Sequence, residues 1–395
     1  MAGAKRNGSG ARPLFAYIDC VRGYAVTMVV SCHLAYAFAE LPDPVHRIVA
    51  LGWYGVQLFF LASALTLLMS WHYESDRLRV ARVIPFFIRR FFRIAPAYYA
   101  AAGFYALLTP PPGGFDGGQL VTSLAFLNGW SPARMPTVSG GWYVVPGGWS
   151  IAVEFTFYLL FPLFATWVTG VRRGLLVFGL CWAVGLVANR IAAPLLGQSY
   201  TPVAIDNFLY FWFPNQMAVF ALGGVLYFVQ QRLGTPPARR IAVVLRSHGG
   251  LIAAAAMVLV FATAYVRLPH YLDASRFLPP GFLVVSLFLA VFILALSQVR
   301  RSLLLTPVAA AIGKVSFSAY LLHFAVIEIA KSHPVLFHTD AQGMAAVAAF
   351  SVTWLVVMVL TFAGAWCTYQ ALELPMIAIG RNIVRARWRV AAQLH

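Results

Sequence analysis

Acidic residues are scarce. The chain has 12 Asp and Glu against 29 Lys and Arg in 395 residues, only 10% of its residues are charged, and 61% are hydrophobic. With a mean hydropathy of +0.77, that balance excludes a soluble domain of this size and defines a polytopic membrane protein. Cysteine is equally thin. Cys20, Cys32, Cys181 and Cys367 all lie inside apolar runs, which argues against a disulfide framework or a metal knuckle, so no metal is expected. The net charge of +17 could suit a nucleic acid, but the cations sit in short clusters between apolar runs. That is a topology signal, and no nucleic-acid partner is expected. No internal repeat of the inverted-transporter kind is visible.

Ten apolar runs can be counted, near 14–39, 48–72, 86–109, 149–170, 174–193, 208–231, 250–268, 280–298, 307–331 and 343–370. The fold class expected is therefore an all-α polytopic membrane protein of about ten transmembrane helices, with both termini on one side. If that side is the cytoplasm, inner segments hold 21 Lys and Arg and outer segments six: Arg47, Arg134, Arg190, Arg267, Arg276 and Lys331. This bias puts both termini in the cytoplasm. The expected organisation is a basic arm at 1–13, a membrane domain at 14–370 and a basic cytoplasmic tail at 371–395. The run after the arm is long, charged and without a clear cleavage site, so it reads as a retained helix and not a signal peptide. The outer connection at about 110–148 is rich in Gly, Pro and aromatics, long enough to be functional and apolar enough to dip back over a cavity.

The first run carries Asp19, Arg22 and His33, and ionisable groups within a span need a reason. Arg22 and His33 are eleven residues apart, which returns to nearly the same helix face roughly 16 Å further along. Asp19, three residues before Arg22, is placed to pair with it. With the orientation set, His33, Glu154 and His323 all fall roughly 8–12 Å below the outer edge, on three different helices. A carboxylate beside an imidazole holds the tautomer that accepts a proton from a hydroxyl, so Glu154 is expected to orient His33. Ser316, Tyr320 and His323 share one helical stripe that reads as polar and inward-facing.

The inner half is cationic, with Arg22, Lys314 and the cluster Arg89, Arg90 and Arg93. Arg89 and Arg93 are one turn apart, a spacing suited to clamping phosphates. A ligand with a phosphate-rich head inside and a reactive end further out fits this layout, and an acyl-CoA has that shape. Blander readings compete. The positive-inside rule alone puts arginines at these helix ends. A single buried histidine or glutamate can be an interhelical hydrogen bond, Ser316 and Tyr320 read more readily as structural than catalytic, and Trp142 and Trp149 can be interfacial anchors. The other seven histidines, His46, His72, His248, His270, His333, His338 and His395, lie in loops or at helix ends and carry no assignment.

At these residues the sequence resembles the acyltransferase-3 family of integral membrane acyltransferases, which includes bacterial O-acetyltransferases of surface polysaccharides. Arg22 and His33, with ten residues between them, match its Arg-x10-His signature. Gly55-Val-Gln-Leu-Phe-Phe-Leu-Ala-Ser63-Ala64 is similar to its helix 2 motif, with Ala64 in place of the usual glycine. Arg89-Arg90-Phe-Phe-Arg93-Ile-Ala-Pro96 matches its Arg-Arg-x-x-Arg-x-x-Pro. Trp149-Ser150-Ile-Ala-Val-Glu154 resembles its Trp-Ser-x-x-Val-Glu segment, and Ser316-Phe-Ser-Ala-Tyr320-Leu-Leu-His323 its helix 9 motif.

The resemblance implies ten core helices, acyl-CoA (acetyl-CoA first) as donor and His33 as the essential histidine. On this reading Arg22, Arg89, Arg90, Arg93 and Lys314 bind the donor. Asp19, Ser63, Trp149, Ser150, Tyr320 and His323 support the site. Family members acetylate a sugar hydroxyl, a macrolide or another small acceptor. Many carry a periplasmic hydrolase-like domain, which this sequence lacks, and that favours a lipid-linked glycan or nascent polysaccharide as acceptor. The expected location is the bacterial plasma (inner) membrane as a multi-pass protein in contact with lipid, with a homodimer among the oligomeric options. An acyl-histidine intermediate is the variant mechanism. The rivals are a ten-helix transporter or lipid flippase and, more weakly, a scaffold that leaves the buried charges unexplained.

Overall fold

The computed structural model describes residues 16–38, 40–73, 79–111, 113–266, 268, 280–333, 337 and 341–393. The arm at 1–13, Arg267, Arg276, His270, His338 and His395 lie outside them. Among the described residues there is no strand, and the fold is an all-α polytopic bundle. Its long helices are α1 (Ala16–Ala35), α2 (Gly55–Tyr73), α3 (Arg79–Leu108), α4 (Gly148–Trp167), α5 (Val171–Leu196), α6 (Phe213–Leu233), α7 (Arg239–Tyr265) and α8 (Gly281–Gln298). Then follow a short helix, Pro307–Lys314, and α9 (Ser316–Lys331), α10 (Gly343–Thr368) and α11 (Leu374–Gln393).

Among the described residues, seven helical segments are long and apolar enough to cross a membrane. The count becomes eight if Pro307–Lys314 and α9, bent by 80° at Val315, form one broken span. Helices α1 and α3 reach spanning length but are diluted by the charges of the site, and a count of ten needs both of them. That dilution is informative, because charged groups within a span require burial, a partner or a water-filled cavity.

Helix α1 is central, packing on α2, α9 and Pro307–Lys314, with Val26, Val29, Val30 and Leu34 fully buried. Helix α5 lies at the periphery against α6 and presents Leu175, Leu176, Leu180, Val187 and Ile191, as a lipid-facing helix does. The α1 crossing over Pro307–Lys314 depends on two glycines. A Cβ on Gly313 would overlap the Asp19 carbonyl, and one on Gly23 would overlap that of Ala309. Both obstacles are backbone, so neither can rotate away. Gly313→Val is therefore expected to cost about 3 kcal/mol or more, read as a lower melting temperature of the detergent-solubilised protein.

Residues 371–393 are helical. Helix α10 passes through a π-helical turn, Tyr369–Glu373, into α11, which packs along α3. The connection between α3 and α4 is also ordered where described. Asp116 caps Gly117–Leu124 by accepting from Gly118 N–H (2.8 Å) and Gln119 N–H (3.1 Å), and it pairs with Arg134 (2.7 Å). Trp130 donates to Thr156 (3.1 Å), two turns into α4, and Phe126 stacks on Phe155 at 3.7 Å. The connection thus lies along α4 and is not a free loop.

Candidate active site

Two imidazoles meet where α1 crosses α9. His33 Nδ1 is 3.2 Å from His323 Nε2 and 2.9 Å from the Val29 carbonyl, and His323 Nδ1 is 2.7 Å from the Tyr320 carbonyl. A carbonyl can only accept, so each Nδ1 carries its proton. In a neutral His323 the Nε2 is then an acceptor, and His33 Nδ1–H is shared between it and Val29. His33 Nε2 is left unprotonated, with a lone pair for an incoming proton. His323 is fully buried and His33 only partly so, which makes His33 the accessible member of the pair. Phe324 packs on both rings, at 4.4 and 4.1 Å between centroids.

Beside the pair lies an open cleft with a cavity volume of about 90 Å³. Arg22, Arg90, Arg93, Ser63, Glu154, Ser150, Ser316 and Tyr320 supply its polar lining, and Phe59, Phe60, Ile94, Ile151 and Phe317 most of the apolar one. Arg22 donates to Thr66 (3.4 Å) and lies within electrostatic reach of Arg93 and Arg90 as like charges and of Asp19 and Glu154 as opposite ones. Glu154 Oε1 accepts from Ser63 and from Tyr158, each at 2.5 Å. The lining shows three cations to one hydrogen-bonded carboxylate, with Asp19 near Arg22 and Glu373 near Arg93 behind it, so the face presented to the cleft is cationic and suits an anionic ligand.

Tyr320 closes the cleft toward the histidines. Its hydroxyl donates to the Gly147 carbonyl (3.0 Å) and lies 2.7 Å from Ser150 Oγ, while its ring centroid is 5.7 Å from that of His323. Gly147 is held at φ +75°, and a Cβ there would press on the Tyr320 hydroxyl, so the turn that starts α4 needs glycine. The cleft therefore stops one aromatic ring short of the imidazole pair.

The residues expected from the sequence divide into groups. His33 and His323 meet as their common depth suggests, and the stripe Ser316, Tyr320, His323 is buried. Glu154, expected to orient His33, is instead bonded to Ser63 and Tyr158 on the cleft side, and His323 takes the place beside His33. Arg90 and Arg93 line the cleft while Arg89 does not, so the lining pair is three residues apart and not four. Lys314 is exposed, acting with Arg22 and Arg93 as a charge on half-buried Asp19. Trp149 is a packing residue, against Phe211 (4.5 Å) and Phe60 (6.3 Å). Three contributors carried no assigned role. Thr66 and Tyr158 sit one helical turn or less from Ser63 and Glu154, a spacing that could have flagged them. Glu373 is the lone acid at the end of a long apolar run.

A helical membrane bundle with an arginine-lined cleft ending one ring short of a histidine pair has parts that a membrane-embedded group-transfer enzyme could use. Residues 15–370 match the acyltransferase-3 family, described as an acyltransferase domain, and the chain belongs to that family of membrane acyltransferases. It is similar to the acyltransferase MdmB of Streptomyces mycarofaciens, 29% identical over 78% of this chain and 77% of that one. It is also similar to a putative O-acetyltransferase of Staphylococcus aureus, 26% identical over 72% of this chain and 47% of the relative. The peptidoglycan O-acetyltransferase OatA of Listeria monocytogenes is 23% identical over 89% of this chain and 55% of its own length. The match thus spans about half the length of these last two relatives. No solved structure matches the chain.

Proposed function

We propose that the protein moves an acyl group, acetyl in the first instance, from acyl-CoA to a hydroxyl of a glycan or lipid-linked saccharide, with His33 as general base. The observation that carries this reading is the hydrogen-bonded pair of His33 and His323, whose contacts assign the acceptor nitrogen of His33 to Nε2, one ring away from a cleft lined by Arg22, Arg90 and Arg93. The phosphates of the donor lie against Arg90 and Arg93 from the cytoplasmic side, and its arm runs past Arg22. Nε2 takes the proton of the acceptor hydroxyl as its oxygen bonds to the thioester carbon. The carbon–sulfur bond then breaks, and the CoA thiolate recovers the proton from the imidazolium. Glu154 offsets the arginines and orients the Ser63 and Tyr158 hydroxyls. For the thioester to reach Nε2 the Tyr320 ring has to swing aside.

The test is transfer of label from [¹⁴C]acetyl-CoA to extracted glycolipid and polysaccharide in membrane vesicles containing the protein. Label on an acceptor hydroxyl, dependent on His33, supports the reading. Uptake or flipping of a substrate without any need for acyl-CoA would replace it with the transporter class. Tyr320→Phe keeps the ring and loses its hydrogen bonds to Gly147 and Ser150. It is expected to destabilise the fold by about 1–2 kcal/mol while transfer stays within about threefold, since on this reading the hydroxyl is a latch and not a reactant. Melting and turnover of the same preparation check both halves.

A further inference from the structure

The cap of α9 comes from a distant part of the chain. Val315 precedes the first turn of α9 and offers no side-chain cap, so the N–H groups of that turn need other acceptors. Glu373 supplies one. Its Oε1 accepts from Ser318 N–H (3.0 Å) and from the Ser318 hydroxyl, placing a carboxylate at the positive end of the helix whose Ser316 and Tyr320 wall the cleft. Glu373 is 1% exposed and ends the π-helical turn between α10 and α11. Such turns re-aim side chains and recur at functional sites.

The second carboxylate oxygen faces the cleft's cations. Oε2 makes no hydrogen bond and lies 3.7 Å from Arg93 Nη1. That separation is an ion-pair contact but too long for a hydrogen bond. The arginine is restrained by charge while its N–H donors stay available to a ligand. One side chain, three residues beyond the segment matched to the family, therefore joins two walls of the site.

We infer that Glu373 is a positioning residue for donor binding: it caps α9 with one oxygen and holds the Arg93 guanidinium toward the cleft with the other. The inference rests on the acyl-CoA reading of that cleft. Glu373→Gln separates its two tasks, since the amide oxygen still accepts from Ser318 while the negative charge facing Arg93 is gone. The KM for acetyl-CoA is expected to rise about tenfold, with kcat within about threefold and melting within a few degrees of wild type.

A structural role alone would not predict the next result. In an Arg93→Ala background Glu373→Gln should change KM by less than about twofold, because its effect runs through the missing guanidinium. The experiment is a double-mutant cycle on the full chain in detergent, with acetyl-CoA kinetics and the melting shift induced by CoA as parallel readouts. A Glu373→Gln enzyme with wild-type KM, or one whose KM effect adds in full to that of Arg93→Ala, overturns the positioning role and leaves the donor reading intact. A wild-type protein that neither melts higher with CoA nor uses acetyl-CoA overturns the donor reading and this inference with it.

Discussion

His33→Ala is expected to lower the turnover of acyl transfer by about 10²–10⁴-fold, the usual contribution of a positioned general base. The KM for the donor should stay within about threefold, because the imidazole lies beyond Tyr320 and outside the cleft proposed to hold the phosphates. The size of the effect follows from the hydrogen-bond chain. The Tyr320 carbonyl fixes the proton of His323 on Nδ1, His323 Nε2 and the Val29 carbonyl fix that of His33, and Nε2 is left unprotonated for the proposed role. No neighbouring group can substitute. The Glu154 carboxylate is engaged with Ser63 and Tyr158, and His323 is buried with both ring nitrogens committed. Labelled-acetyl turnover in vesicles, normalised to folded protein, measures the loss. His33→Gln should be equally inactive, since an amide keeps the bulk and supplies no proton acceptor of comparable basicity.

The second large effect is on donor affinity. Arg90→Ala and Arg93→Ala are each expected to raise the KM for acetyl-CoA by about 10–100-fold, with kcat far less affected. The estimate rests on about 1.5–3 kcal/mol for a hydrogen bond to a charged group, at one factor of ten per 1.4 kcal/mol. Arginine presents a planar fork that matches a phosphate, so lysine at either position should recover only part of the loss. Arg89→Ala serves as the internal comparison. It shares the cluster but does not line the cleft, and should shift KM by less than about threefold. Equal losses at all three positions would mean that the cluster acts as a diffuse field and not as a site.

Much of the fold was legible in the sequence because hydropathy in a bilayer is a one-dimensional signal: each apolar run long enough to span becomes a helix. The meeting of His33 with His323 was legible for a related reason. Depth follows from residue count at a fixed rise per residue, and two groups at one depth on inward-facing helices can meet. Azimuth is what depth cannot supply. Residue counting puts Glu154 at the level of the histidines, yet it bonds to Ser63 and Tyr158 on the cleft side. A similar shortfall applies to the arginines, where spacing alone favoured Arg89 with Arg93 and packing selected Arg90. Glu373 was missed because the helix appeared to end at about 370. A π-helical turn is a local change in winding with no hydropathy signature, and it carries the helix on and turns the acid inward. The bend at Val315 was equally silent, since Lys314 and Ser316 read as part of one uninterrupted span.

A cryo-EM structure with a non-transferable thioether analogue of acetyl-CoA tests the central claim most directly. The account places the analogue's phosphates against Arg90 and Arg93, the Tyr320 ring turned away from Gly147, and the sulfur-linked carbon next to His33 Nε2. Analogue density that enters elsewhere, or that stops in the cleft with Tyr320 still bonded to Gly147 and Ser150 and no route to the imidazole, would contradict it.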